Sequence, residues 1–125
     1  MSPANFNVLV ADDDPTVRLL AQAALDGQGF SVTAVADGAQ ALAEFQRRPS
    51  DIVLLDVDMP AVDGYLVCAE LRRRIGPELP IVLITGHDDR EAITTAFEAG
   101  TTDFIAKPVD WSSLASRLLK LLSKD

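Results

Sequence analysis

Apolar and polar positions form two alternating patterns along the chain. Five short runs are rich in Val, Ile and Leu, and between them apolar residues recur every three or four positions. Short apolar runs are typical of buried strands, and the wider spacing is typical of helices with one buried face. The strands are predicted at residues 6–11, 30–35, 51–56, 80–85 and 102–106.

Each predicted strand is followed by a predicted helix. Pro15 after Asp14 marks one start, because an acidic cap before a proline suits the first helical position. Alternating strands and helices indicate an α/β protein whose parallel sheet has helices on both faces. The helices are predicted to begin near Asp14, Asp37, Tyr65, Asp88 and Asp110, and the fourth to end at Gly100.

The length and the hydropathy of the chain limit its class. The 125 residues suffice for one domain with a real core, so we expect residues 1–125 to form a single domain. No apolar stretch reaches the roughly 18 to 20 residues that span a bilayer, and the N-terminus lacks the pattern of a secretory signal. We therefore expect a cytoplasmic protein that does not bind membranes.

The charge and the single cysteine add two expectations. A net charge of −8 argues against direct binding to nucleic acid, whose phosphates require a basic face. Cys68 lies on an apolar helical stripe and is predicted to be a buried structural thiol. The basic run Arg72–Arg74 is interpreted as a solvated face at a helix end.

Carboxylates follow two of the predicted strands. Asp12, Asp13 and Asp14 come directly after the first strand, and Asp56 ends the third, with Asp58 two residues later. Two carboxylates about 4 Å apart repel by roughly 4 kcal/mol at an effective dielectric of ~20, so a cation is expected among them. Because parallel strands bind ligands at their carboxyl ends, the sequence predicts a site for Mg²⁺, with Mn²⁺ as an alternative.

A hydroxyl and an ammonium follow two further strands at the same edge. Thr85 closes the fourth strand, and Lys107 follows the fifth. A carboxylate can attack an activated phosphoryl group while cations and a hydroxyl stabilise its oxygens. The set of residues therefore favours phosphoryl transfer.

Four segments together resemble the receiver domain of two-component response regulators. The resemblance covers the whole chain and implies a doubly wound (βα)5 fold of the flavodoxin-like type, a three-layer sandwich with strand order 2-1-3-4-5. The segments are residues 8–15, 51–64, 84–86 and 103–108.

The resemblance implies a role for each acid of the site. Asp56 is expected to accept a phosphoryl group from the phosphohistidine of a sensor kinase or a phosphotransfer protein. Asp13, Asp56 and the backbone carbonyl of Asp58 are expected to bind Mg²⁺ directly, and Asp12 through a water molecule. The protein is expected to catalyse its own phosphorylation and dephosphorylation and to turn over no external substrate.

The resemblance also implies a switch. Lys107 is expected to pair with Asp56 and then with a phosphoryl oxygen, and the peptide bond from Lys107 to Pro108 to be cis. Thr85 is expected to move toward the phosphoryl group and leave space into which the ring of Phe104 rotates. The implied output surface is the fourth helix, fifth strand and fifth helix, which would bind an output module, a target protein or a second copy.

Two residues flank the path of water toward the aspartyl phosphate. Asp58 and His87 each lie two positions after a site residue. An acid or an imidazole there can orient or repel the attacking water. We hypothesise that both residues tune autodephosphorylation.

Other readings of the sequence stay open at this point. Asp56-Val57-Asp58 matches the start of the motif of haloacid-dehalogenase phosphatases, but Pro60 stands where that motif has threonine or valine. A second alternative is a flavin-binding module of the same fold, but that module needs a neutral phosphate-binding loop after the first strand, where this chain has three aspartates. A third alternative is an interaction module that is not phosphorylated. Residues 85–111 are similar to receivers that precede diguanylate cyclase and phosphodiesterase modules, and the chain is either a stand-alone relay or stator protein or part of a longer regulator.

Overall fold

The computed structural model describes residues 5–86 and 90–123. Five parallel strands form one sheet in the order β2-β1-β3-β4-β5, so the predicted α/β fold and strand order are confirmed. The elements in chain order are β1 (Phe6–Ala11), α1 (Pro15–Leu25), β2 (Phe30–Val35), α2 (Gly38–Arg47), β3 (Ile52–Asp56), α3 (Gly64–Ile75), β4 (Ile81–Thr85), α4 (Arg90–Glu98), β5 (Asp103–Ala106) and α5 (Trp111–Leu122).

The core lies on both faces of the sheet. Alternate residues of each central strand point to opposite faces, so Leu9 and Leu55 pack under α2 and α3, whereas Val8 and Leu54 pack under α1 and α5. All five residues of β3 are buried. Burial on both faces explains why the central strands read as continuous apolar runs.

Aspartates cap three of the helices. The side chains of Asp14, Asp37 and Asp63 each accept a hydrogen bond from a backbone N–H of the first helical turn, which confirms Asp14 as a helix cap. Asp110 precedes α5 as predicted, but its carboxylate accepts from the hydroxyl of Ser112 instead. The predicted start of the fourth helix near Asp88 lies outside the described residues.

The basic run at the end of α3 divides into two kinds of residue. Arg73 and Arg74 are exposed and pair with Glu70, as expected for a solvated face. Arg72 is half-buried and donates four hydrogen bonds to the α3–β4 and α4–β5 connections, so that interpretation is wrong for Arg72. The reason is helical spacing, because Arg72 lies one turn after the buried Cys68 and therefore faces inward.

Two expectations from composition can be compared with the structure. Cys68 is fully buried, as predicted, and burial raises the pKa of its thiol to about 11 against the opposing charge of Arg72. None of the helices within the described residues is long and apolar enough to cross a bilayer.

Candidate functional site

Strand register brings the predicted acids together at the carboxyl edge of the sheet. Ala11 of β1 pairs with Leu55 of β3, so the next residues along, Asp12 and Asp56, lie side by side. The carboxylates of Asp12, Asp13 and Asp56 each offer an oxygen within 4.8 Å of the others. The site is therefore built by the two central strands and the loop that follows β1.

Asp12 is the most constrained of these acids. Its side chain is 1% exposed, and Oδ1 accepts a hydrogen bond of 2.9 Å from the backbone N–H of Asp14. Oδ2 is buried and has no hydrogen-bond partner among the described residues. Burial and the charges of Asp56 and Asp13 raise the pKa of Asp12 to about 6, against the opposing effects of the Asp14 N–H and Lys107.

Lys107 is the cation of the site. Its Nζ lies 3.2 Å from Asp56 Oδ1 and 3.9 Å from Asp12 Oδ2. Partial burial disfavours the charged ammonium, but the surrounding carboxylates, Asp56 above all, outweigh it and raise the pKa of Lys107. The backbone N–H of Lys107 donates to the carbonyl of Thr85, and the bond from Lys107 to Pro108 is cis.

The loop after β3 holds Asp56 from the other side. The backbone N–H of Asp58 donates to Asp56 Oδ1 over 3.3 Å, while the Asp58 side chain points to solvent. Gly64 opens α3 so close to β3 that a Cβ there would lie 2.4 Å from the carbonyl oxygen of Asp56. Both contacts restrict the position of Asp56 before any ligand binds.

The residues of the proposed switch lie on neighbouring strands. Thr85 is 3% exposed at the end of β4. Phe104 of β5 is half-buried, and its ring packs edge-on against Phe97 of α4, with centroids 6.3 Å apart and planes at 90°. Phe97 is 51% exposed, so this aromatic pair joins the interior to the surface. His87 lies outside the described residues.

Comparison with known proteins identifies the family. A family model for the response regulator receiver domain matches residues 8–119. The chain belongs to the response regulator receiver family. The receiver domain is also 33% identical to a putative response regulator from Chloroflexus aurantiacus J-10-fl, whose crystal structure it matches with a TM-score of 0.89 over 96% of this chain and 99% of that one.

Curated relatives of this receiver domain are longer regulators. It is 37% identical over 117 residues to the "Probable transcriptional regulator ycf27" of Cyanophora paradoxa, and the match covers 94% of the chain but 48% of that protein. It is 34% identical over 118 residues to the transcriptional regulatory protein CseB of Streptomyces coelicolor, covering 94% of the chain and 50% of that protein. The receiver domain therefore spans about half the length of these relatives.

The acidic group of this receiver domain fits a hard divalent cation. Three carboxylates face one another with one lysine, and Oδ2 of Asp12 is a buried acceptor that receives no hydrogen bond from the described residues and lies 3.9 Å from Lys107 Nζ. Oxygen donors of this kind suit Mg²⁺ and Mn²⁺ better than softer metals. A bound cation would also offset the repulsion among the carboxylates.

Two arginines of the receiver domain contact the site or the switch and were not predicted from the sequence. Arg18 of α1 donates from Nη1 to the backbone carbonyl of Asp12 over 2.7 Å. Arg117 of α5 pairs with Asp103 at 3.1 Å and donates to the carbonyl of Phe104 over 2.9 Å. Their acceptors are carbonyls and a carboxylate on other elements, which a linear pattern does not reveal.

Proposed function

We propose that Asp56 is the residue that accepts the phosphoryl group in this receiver domain. The observation that carries the proposal is the pairing of a buried Asp56 with Lys107 at 3.2 Å, next to two further carboxylates. An ordinary buried ion pair needs no additional acids, and they are costly unless the site receives a cation and an anion. A sensor kinase or phosphotransfer protein supplies the phosphoryl group from a phosphohistidine.

The transfer exchanges one bond for another. A carboxylate oxygen of Asp56 forms a bond to phosphorus as the phosphorus–nitrogen bond breaks, and the electron pair stays on the imidazole of the donor. The ammonium of Lys107 pairs with Asp56 before the transfer and then with one oxygen of the phosphoryl group. The Thr85 hydroxyl donates a hydrogen bond to a second phosphoryl oxygen.

The acids of the site divide the remaining work. Asp13, Asp56 and the carbonyl of Asp58 would hold Mg²⁺, or Mn²⁺ in its place, directly, and Asp12 would hold it through a water molecule. When bound, the metal ion neutralises the charge of the phosphoryl oxygens. Asp14 takes no part, because its carboxylate caps α1.

The test is incubation of the protein with MgCl2 and acetyl phosphate, followed by intact mass spectrometry. Wild type is expected to gain one phosphoryl group, and Asp56→Asn is expected to gain none because the amide is not a nucleophile. Asp14→Asn is the matched control, since it removes one neighbouring charge but keeps a capping oxygen, and it is expected to be modified like wild type.

Three results would contradict the proposal. They are an unmodified wild type, equal modification of wild type and Asp56→Asn, and a requirement for Asp14. Steady hydrolysis of a generic ester such as p-nitrophenyl phosphate would instead favour a phosphatase.

We propose further that phosphorylation is read at the surface formed by α4, β5 and α5. The support is the aromatic pair of Phe104 and Phe97 and the attachment of Phe104 to α5 through Arg117. Rotation of Phe104 would change the contact that α4 presents to a partner. Hydrogen exchange measured with and without beryllofluoride should change on these elements in wild type and stay constant in Asp56→Asn.

The curated relatives suggest which partners this receiver domain has, because they are about twice its length and are transcriptional regulators. We propose that residues 1–125 form one receiver unit in the cytoplasm, which binds neither membranes nor nucleic acid itself. An output module, a separate target or a second phosphorylated copy binds the α4–β5–α5 surface. The transcriptional relatives support an output module that contacts DNA in place of this domain.

Asp58 and His87 are proposed to set the lifetime of the aspartyl phosphate. Asp58 supports this because its backbone N–H contacts an Asp56 oxygen and its own side chain is exposed to water. Asp58→Asn and His87→Ala are expected to change the rate of phosphate loss by several-fold, which can be followed by mass spectrometry after removal of the donor. Loss at the wild-type rate in both variants would rule out this role.

A further inference from the structure

Arg18 is a half-buried cation that contacts the metal site only through backbone. It lies in the first half of α1, and its Nη1 donates to the carbonyl oxygen of Asp12 over 2.7 Å. Its own backbone N–H donates to the carbonyl of Asp14. Within residues 5–86 and 90–123, its guanidinium forms no ion pair.

The helix itself gives no reason for an arginine at this position. The N-terminus of a helix carries a partial positive charge, so a cation near it is unfavourable. The first turn of α1 contains no acidic residue, and the carboxylate of the cap, Asp14, accepts from the backbone N–H of Thr16 and not from Arg18. The hydrogen bond from Arg18 to the carbonyl of Asp12 is therefore the interaction that explains an arginine at this position.

That interaction adds a constraint on the peptide between Asp12 and Asp13. The backbone N–H of Asp12 donates to Val35, and its Oδ1 accepts from the N–H of Asp14. The second bond closes an Asx turn over the peptide that joins Asp12 to Asp13, but neither bond involves the carbonyl oxygen of that peptide. Among the described residues, no hydrogen bond holds the exposed Asp13 side chain. Because a peptide unit is planar, fixing the Asp12 carbonyl fixes the plane from which Asp13 departs.

We propose that Arg18 is a positioning residue of the metal site, which holds the peptide plane between Asp12 and Asp13 so that both carboxylates face Asp56. The inference rests on the proposed function, since it takes these aspartates as metal ligands. Groups that orient metal ligands commonly change metal affinity by about 10- to 100-fold. Because Arg18 is partly exposed, an effect at the lower end of that range is expected.

Electrostatics alone predicts the opposite sign. A guanidinium near the carboxylates repels a divalent cation, so its removal would strengthen metal binding if charge were its whole role. A purely structural role would lower the stability of the metal-free protein and leave metal affinity unchanged. The direction of the change in affinity therefore separates three explanations.

The experiment compares Mg²⁺ binding in four proteins, with no phosphodonor present. Wild type, Arg18→Met, Arg18→Lys and Arg48→Met are titrated with MgCl2 alone, and binding is followed by Trp111 fluorescence and by the urea midpoint. Trp111 is a suitable reporter because it lines the same surface cavity as Lys107. Arg48 is exposed at the end of α2 and gives the same change in net charge.

Arg18→Met is expected to raise the Mg²⁺ dissociation constant by about 10-fold, with Arg18→Lys between it and wild type and Arg48→Met unchanged. If Arg18→Met does not fold, Arg18→Lys carries the test alone, and weaker binding by several-fold supports the proposal. Unchanged or tighter binding in the folded variant overturns it. A wild type that binds no Mg²⁺ overturns the metal assignment as well, whereas failure of phosphorylation with normal Mg²⁺ binding overturns only the role of Asp56.

Discussion

Asp12 and Arg72 are charged residues that are fully or partly buried, and they differ in how well their hydrogen bonds are satisfied. Asp12 lies at the carboxyl edge of the sheet, and its buried Oδ2 has no hydrogen-bond partner in the described part of the chain. Arg72 lies at the opposite edge and donates to the carbonyls of Gly76, Leu79 and Gly100 and to the hydroxyl of Thr102, over distances of 2.6 to 3.0 Å.

The difference is the one expected between a charge that stabilises the fold and a charge that binds a ligand. Arg72 joins α3 to the α3–β4 and α4–β5 connections. Its guanidinium is satisfied by neutral acceptors and pairs with no carboxylate among the described residues. Oδ2 of Asp12 receives no hydrogen bond from the described residues, and burial of its carboxylate raises its pKa. An unpartnered buried group is costly, so its retention points to a ligand that completes it.

The largest expected effect comes from removing the satisfied charge. Arg72→Met should lower the free energy of unfolding by about 2–3 kcal/mol, because several partly buried carbonyls lose their donor. Urea denaturation with and without MgCl2 measures it, and the loss should be the same in both conditions, since Arg72 is remote from the metal site.

Two controls make this test specific. Arg73→Met removes an exposed neighbour with the same change in net charge and should keep the wild-type midpoint. Cys68, one turn before Arg72, has a thiol whose pKa is raised by burial to about 11, so native wild type should react slowly with iodoacetamide. Arg72→Met should react faster because the less stable protein exposes the thiol more often, although loss of the Arg72 charge raises the thiol pKa further. A loss of stability in Arg73→Met as large as in Arg72→Met would remove the distinction.

A smaller effect of opposite sign is expected at Asp12. Its pKa is raised from 3.8 to about 6 in the folded protein, so above pH 6 the charged form costs stability, and the cost disappears as the pH falls from 6 toward 3.8. Asp12→Asn should therefore raise the free energy of unfolding by about 1–3 kcal/mol at neutral pH in chelator. The gain should fade in acid.

Added metal should reverse this order. With saturating MgCl2 wild type should gain stability by mass action, and Asp12→Asn should gain less because one of the proposed ligand groups is missing. Asp13→Asn is the matched variant, with the same net charge at an exposed position, and should show a smaller gain in chelator. If Asp12→Asn destabilises the metal-free protein, the distinction between the two charges fails.

The acids of the site could be predicted from the sequence because strand order and register determine which residues lie at the carboxyl edge of the sheet. A run of buried residues must end at the sheet edge, so the residue that follows it is placed without knowledge of any contact. Asp12, Asp56 and Lys107 were placed in this way, and the structure brings all three within 4 Å of a partner in the set.

The arginines could not be placed by the same logic. Arg72 binds the carbonyl of Gly100, which is 28 positions away, and Arg117 binds that of Phe104 across 13. Any residue offers a carbonyl, so no side-chain type marks the acceptor. The helical spacing of Arg72 from Cys68 was the one available signal, because it places a cation on an apolar face.

The close approach at Gly64 has a consequence for how variation at this position is interpreted. The start of α3 and the backbone of Asp56 leave room for a hydrogen atom but not for a methyl group. Selection for folding alone would therefore keep glycine here, even in a descendant that had lost its signalling role. An unchanging residue at position 64 records the spacing between two backbones, and it carries no information about whether Asp56 is still used.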